Sequence, residues 1–135
     1  MASIIWDGGL ETGLEEIDGQ HRVLIDTFNR IAAAVGKGDT NRDELEGILA
    51  FLRDCALLHF QTEQELMARH RYPRETEHRR LHSDLVREME AVLEGFHRGE
   101  KPLTPVTLEY LDEWIVRHIR EEDLRLAEFL RHATV

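Results

Sequence analysis

One cysteine, three prolines and a shortage of positive charge set the first limits on this 135-residue chain. With Cys55 alone, no internal disulfide can form, so nothing in the sequence calls for an oxidising compartment. Basic residues number 17 against 27 acidic ones, a net charge of −10. That balance lacks the electrostatic footprint of a nucleic-acid binder and opposes docking on an anionic lipid surface. No apolar run approaches the ~18 residues of a membrane span. The start, MASIIWDGG, lacks the basic head and long apolar stretch of a signal peptide. A cytoplasmic protein with no membrane or nucleic-acid partner is expected.

What is present favours helix. Leu, Glu, Arg and Ala are abundant and β-branched residues are few. The length fits a single domain over residues 1–135, large enough to bury a core without staples. Residues 1–17 carry Gly8, Gly9 and Gly13 with no sustained period and are expected to form an arm anchored by Trp6. Four helices follow, roughly 18–36, 41–70, 73–97 and 105–131. The first would be capped by Asp18, with the stripe Leu24, Phe28, Ile31, Val35, and stopped by Gly36 and Gly38. Asn41 and Glu44 resemble a capping box for the second. Its stripe runs Leu45, Ile48, Leu52, Ala56, His59, Glu63, Leu66. Pro73 suits the first turn of the third, whose stripe is His78, Leu81, His82, Leu85, Met89, Val92, Phe96. Thr104 and Pro105 open the fourth, with Leu108, Leu111, Ile115, His118, Ile119, Leu126 and Phe129. Short connections make neighbours antiparallel. The expected fold class is all-α: an up-down-up-down four-helix bundle with an N-terminal arm. No additional apolar stripe stands out on the outer faces, so a monomer is expected.

The stripes that should be buried carry His21, His59, Glu63, His78, His82, His118 and an acid near 122–123. Burying such groups unpaired costs several kcal/mol each, and a metal is the natural compensation. In an up-down-up-down bundle His21, Glu63, His78, His82 and Asp123 lie roughly 5–15 Å from one end, at ~1.5 Å rise per residue. His59 and Glu63 share a helix face, as do His78 and His82. The last helix is less simple. Five residues at about 100° turn Asp123 about 140° away from His118. Either Glu122 supplies the carboxylate or the helix widens, and the reading predicts a π-type turn between 118 and 123.

The order His21, His59-x3-Glu63, His78-x3-His82, His118-x4-Asp123, set in the segments IDGQHRVLID, HFQTE, RYPRETEHRRLH and WIVRHIREED, resembles the hemerythrin family, above all its single-domain bacterial members. The likeness spans essentially the whole chain. It implies two iron ions cycling between Fe2+ and Fe3+, joined by an oxo or hydroxo bridge. His78, His82 and His118 would ligate one, His21 and His59 the other, with Glu63 and Asp123 bridging. It also implies reversible binding of O2 for storage, transport or delivery rather than enzymatic turnover, and an oxygen pocket of Leu24, Phe60, Trp114, Ile115 and Ile119. Both Leu24→Ser and Trp114→Ala are expected to speed autoxidation. An oxygen or redox sensor, or a peroxide or nitric oxide reductase using the same site, is the second reading. An unidentified oxygen-consuming or signalling partner would go with delivery or sensing. The chain departs from its relatives at Gln64, where many carry a second Glu, at Arg71, often Gly, and at Leu126, often Tyr. A ferritin-like oxidase is disfavoured: Glu75-x-x-His78 and Glu94-x-x-His97 lie on one helix, about 28 Å apart.

Overall fold

A computed structural model describes residues 4, 6–36, 42–100 and 102–133. Among them the helices are α1 (Glu15–Gly36), α2 (Arg42–His70), α3 (Glu75–His97), α4 (Pro105–Arg117) and α5 (Leu124–Ala133). A single π-helical stretch, His118–Asp123, joins α4 to α5, so these two and the π segment make one fourth rod. The helices run up and down as an all-α four-helix bundle, and no strand occurs among the described residues. Antiparallel pairing is visible in the bonds that cross it. Gln20 near the start of α1 meets Thr62 near the end of α2. Arg42 at the start of α2 donates to the Phe96 carbonyl at the end of α3.

The helix ends show local chemistry at work. The Thr104 hydroxyl accepts from the Thr107 N–H at 3.2 Å, and Pro105 occupies the first position of α4, as expected. The first helix begins at Glu15, three residues before Asp18, so the arm is shorter than expected. Asp18 is not the cap. Its carboxylate reaches back to the Thr12 N–H at 2.8 Å, the Thr12 hydroxyl at 2.7 Å and the Gly13 N–H at 3.2 Å, tying the arm to the first turn. Asn41 and Gly38, assigned a cap and a stop, lie outside the described residues.

Pro73 is likewise outside α3, which starts at Glu75. It follows a closing turn in which the Tyr72 N–H bonds to the Met67 carbonyl at 3.0 Å and Arg71 takes φ 54°. Proline is favoured just after such a turn because it cannot extend the helix. The end of α3 closes the same way, with Glu100 N–H on the Gly95 carbonyl and Gly99 at φ 73°. There glycine meets the left-handed geometry without strain; at position 71 an arginine has to adopt it.

Two apolar clusters fill the bundle. The larger includes Leu24, Ile25, Phe28, Ile31, Leu45, Leu49, Leu52, Phe60, Leu85, Leu108, Leu111 and Ile119. Each such buried large side chain contributes about 1.5–3 kcal/mol. The smaller is Ile17, Met67, Tyr72, Leu126 and Leu130. The arm joins the larger cluster through Ile4 and Leu10. The Asn29 side chain clips Ile4 by both backbone groups, at 2.7 and 2.8 Å. Trp6, the expected anchor, packs only partly against the core and stands under the Arg22 guanidinium at 4.8 Å. No helix among the described residues is long and apolar enough to cross a membrane.

Candidate metal centre

On each rod, a polar layer separates the two apolar clusters: Ile17, His21, Leu24 on α1; Phe60, Glu63, Met67 on α2; His78, His82, Leu85 on α3, with Tyr72 in the turn before it; Ile119, Asp123, Leu126 on the fourth. His21, His59, Glu63, His78, His82 and Asp123 are each at most 1% exposed, and His118 is 7% exposed. The π-helical stretch spans the positions where the sequence predicts it. It brings Asp123 into the layer, while Glu122 turns outward beside Arg125 at 3.6 Å.

The ring nitrogens converge on two carboxylates. Asp123 presents one oxygen to His21 Nε2 at 2.7 Å and His59 Nε2 at 3.2 Å. Its other oxygen lies 3.1 Å from His118 Nε2 and 3.3 Å from His78 Nε2. Glu63 Oε1 stands 2.9 Å from His82 Nε2, 3.2 Å from His78 Nε2 and 3.6 Å from His59 Nε2. Two overlapping groups result, each compact enough to hold a metal ion. One is Glu63, His78, His82, His118 and Asp123; the other is His21, His59, Glu63 and Asp123. Both carboxylates belong to both groups. All seven residues singled out from the sequence are therefore brought together.

The donor set fits two cations. Nitrogen-rich sites with carboxylates suit iron, and each carboxylate offers one oxygen or edge to either group. Several buried atoms have no hydrogen-bond partner: Glu63 Oε2, His118 Nε2 and Asp123 Oδ1 among them. Such orphans are costly in a protein interior unless something else engages them. The electrostatics carry the same strain. Burial and the nearby Asp123 charge push Glu63 well above the usual carboxylate range. Burial would raise Asp123 as well, but His118, His21 and His59 hold it well below. Burial and the charges of His78 and His118 push His82 down to about 2.

A small cavity of about 40 Å³ adjoins this layer, lined by Leu24, Leu52, Ala56, Phe60, Leu85, Met89, Ile115 and Ile119 beside His21, His59, His118 and Asp123. Of the five residues the sequence reading assigned to a pocket, Leu24, Phe60, Ile115 and Ile119 line this cavity. Trp114 does not. It is half-buried and lines a separate outer groove with Leu81, Arg117, His118, Glu121 and Glu122. One residue before Ile115, it is turned about 100° around the helix. Leu52, Ala56, Leu85 and Met89 had been read only as core. Their signal was available: they lie on the same stripes as His59 and His82, on the side of the larger cluster.

A helical bundle whose two histidine–carboxylate groups share both carboxylates defines a class, that of helical proteins built to hold a pair of metal ions. The chain belongs to the hemerythrin family: the model of the hemerythrin HHE cation binding domain matches residues 12–130. It is 28% identical to a bacteriohemerythrin of Stenotrophomonas maltophilia, covering 95% of this chain and 82% of that one. It is also 28% identical to a bacteriohemerythrin of Methylococcus capsulatus, over 91% and 93% of the two chains. A crystal structure of wild-type hemerythrin superposes with a TM-score of 0.85 at 26% identity, covering 94% of this chain and 97% of that one.

Proposed function

We propose that this protein binds molecular oxygen reversibly at a non-haem di-iron centre held by His21, His59, Glu63, His78, His82, His118 and Asp123, as a store, carrier or donor of oxygen. Members of the family are typically oxygen-binding or carrier proteins rather than enzymes. Two irons, when bound, supply the pair of electrons that oxygen takes up on binding and returns on release.

One observation carries the reading: the cavity opens on the group with fewer protein donors. Its lining includes His21 and His59, the two imidazoles found only in that group, together with Asp123 and His118, but not His78, His82 or Glu63. The four-residue group thus meets the cavity through both of its own imidazoles and has one protein donor fewer, whereas the five-residue group meets it through His118 alone of its three. About 40 Å³ admits a diatomic molecule, whereas organic substrates need pockets of roughly 300 Å³ or more. The apolar lining keeps bulk water out. The ionisable groups in it, His21, His59, His118 and Asp123, all belong to the two groups. No spare acid among the described lining residues is placed to hand a proton to the ligand, which favours release over turnover.

The test is direct. The chain is reduced without air, its iron content and visible spectrum are recorded, oxygen is admitted, and the sample is flushed with argon. Two irons per chain and a visible band that comes with oxygen and fades under argon are expected. Irreversible oxidation on first exposure, or steady oxygen consumption, would overturn the carrier reading.

A further inference from the structure

Gln20 stands beside the centre without belonging to either group of candidate ligands, and its hydrogen bonds run in one direction only. The Thr62 hydroxyl donates its single proton to the Leu58 carbonyl at 3.1 Å. It therefore meets Gln20 as an acceptor, and the Gln20 amide nitrogen donates to it at 3.0 Å. The Gln20 side-chain oxygen consequently faces His59 Nδ1, 2.8 Å away. An oxygen there can only accept, so His59 carries its proton on Nδ1. In the neutral ring, the form that can ligate a metal, its Nε2 is then a bare lone pair directed at Asp123 and His21.

That arrangement is unfavourable without a cation, because the lone pair faces a carboxylate oxygen 3.2 Å away. It is the form of imidazole a metal requires. The other rings are less well supported. His21 Nδ1 and His78 Nδ1 have no hydrogen-bond partner, and His82 Nδ1 is only 3.5 Å from the Gln64 amide. Among these, the strongest outer bond is the one on His59, in the group that borders the cavity.

We infer that Gln20 is a positioning residue: through the Leu58–Thr62–Gln20 relay it locks His59 as the Nδ1–H tautomer and so sets the hold of the four-residue group on its metal. The inference rests on the metal-centre reading. Partners of this kind typically alter metal affinity by about 10–100-fold. Gln20→Leu removes the acceptor at similar volume, whereas Gln20→Glu retains it.

The full chain is loaded with Zn2+, and the metal is withdrawn by a competing chelator while ring N–H protons are followed by NMR. In the unaltered chain two metals per chain are expected, with a slowly exchanging proton on His59 Nδ1. In Gln20→Leu one of the two metals should leave about 10–100 times more readily and the His59 proton should exchange fast. Gln20→Glu should restore the slow proton. If the unaltered chain binds two metals and Gln20→Leu releases both at the same rate with the proton still protected, the inference is overturned and the metal reading stands. If the unaltered chain holds no metal, both fall.

Discussion

Asp123 reaches His118 at 3.1 Å although it lies five positions further along the chain, because the helix between them is π-helical. A regular helix would have put Glu122 in that place. The relationship makes a sharp contrast between neighbours. Asp123→Asn removes the charge that four imidazoles face and is expected to lose most bound metal. Glu122→Gln, on a side chain paired outward with Arg125, is expected to keep all of it. Metal analysis of the two purified variants decides between the π and α registers.

The position of Trp114 separates two effects that the sequence placed together. Leu24→Ser puts a hydroxyl into the cavity wall and gives water a foothold, so oxidation of the oxygen-loaded form should quicken, by about tenfold for each ~1.4 kcal/mol removed from the barrier. Trp114→Ala opens the outer groove beside His118 and should have the smaller effect. Decay of the visible band in air measures both; equal rates in the two variants would contradict the assigned cavity.

Metal loading should release protons. Burial alone would lower His78, but its contacts with Asp123 and Glu63 hold it up at about 9. Below that pH the metal-free chain carries a proton that a ligating imidazole must give up, so affinity should climb with pH, roughly tenfold per unit for one proton. His82, pushed down to about 2, is already neutral and adds none. Calorimetric titration with Zn2+ in buffers of different ionisation heat reads the number released. Heats that do not depend on the buffer would refute the argument.

Arg71 pays conformational strain at φ 54° where Gly99 pays none. Arg71→Gly is therefore expected to stabilise the fold by about 1 kcal/mol, the relief of left-handed strain less the added freedom of the unfolded chain. Its side chain is exposed, so little packing is lost. Denaturant unfolding of the metal-loaded protein gives the difference, and a decrease in stability would show that the turn needs the arginine.

Much of this arrangement could be read from the sequence because buried ionisable residues break an apolar stripe visibly. His59 and Glu63, or His78 and His82, stand out at helical spacing, and the step of five positions from His118 to Asp123 reduced the last helix to two choices, Glu122 in a regular helix or a widened turn, of which the structure has the second. Where the signal was a single side chain, reading failed. Asp18 has the chemistry of a cap but turns back to serve Thr12 and Gly13. Pro73 is as suited to leaving a helix as to starting one. Ile4 and Leu10 belong to no periodic run, so nothing local marked them as the buried anchors in place of Trp6. The Gln20 relay needs the distance between two helices, which no spacing within one segment supplies.

The polar layer lies between apolar blocks of unequal size. The larger block can pack whether or not the layer is filled. The smaller one, Ile17, Met67, Tyr72, Leu126 and Leu130, packs on the far side of buried polar atoms, several of which lack a hydrogen-bond partner. Bound metals would therefore also act as fasteners. Losing them should loosen one end of the bundle while the rest stays folded, and that end would then be the doorway through which the protein is refilled.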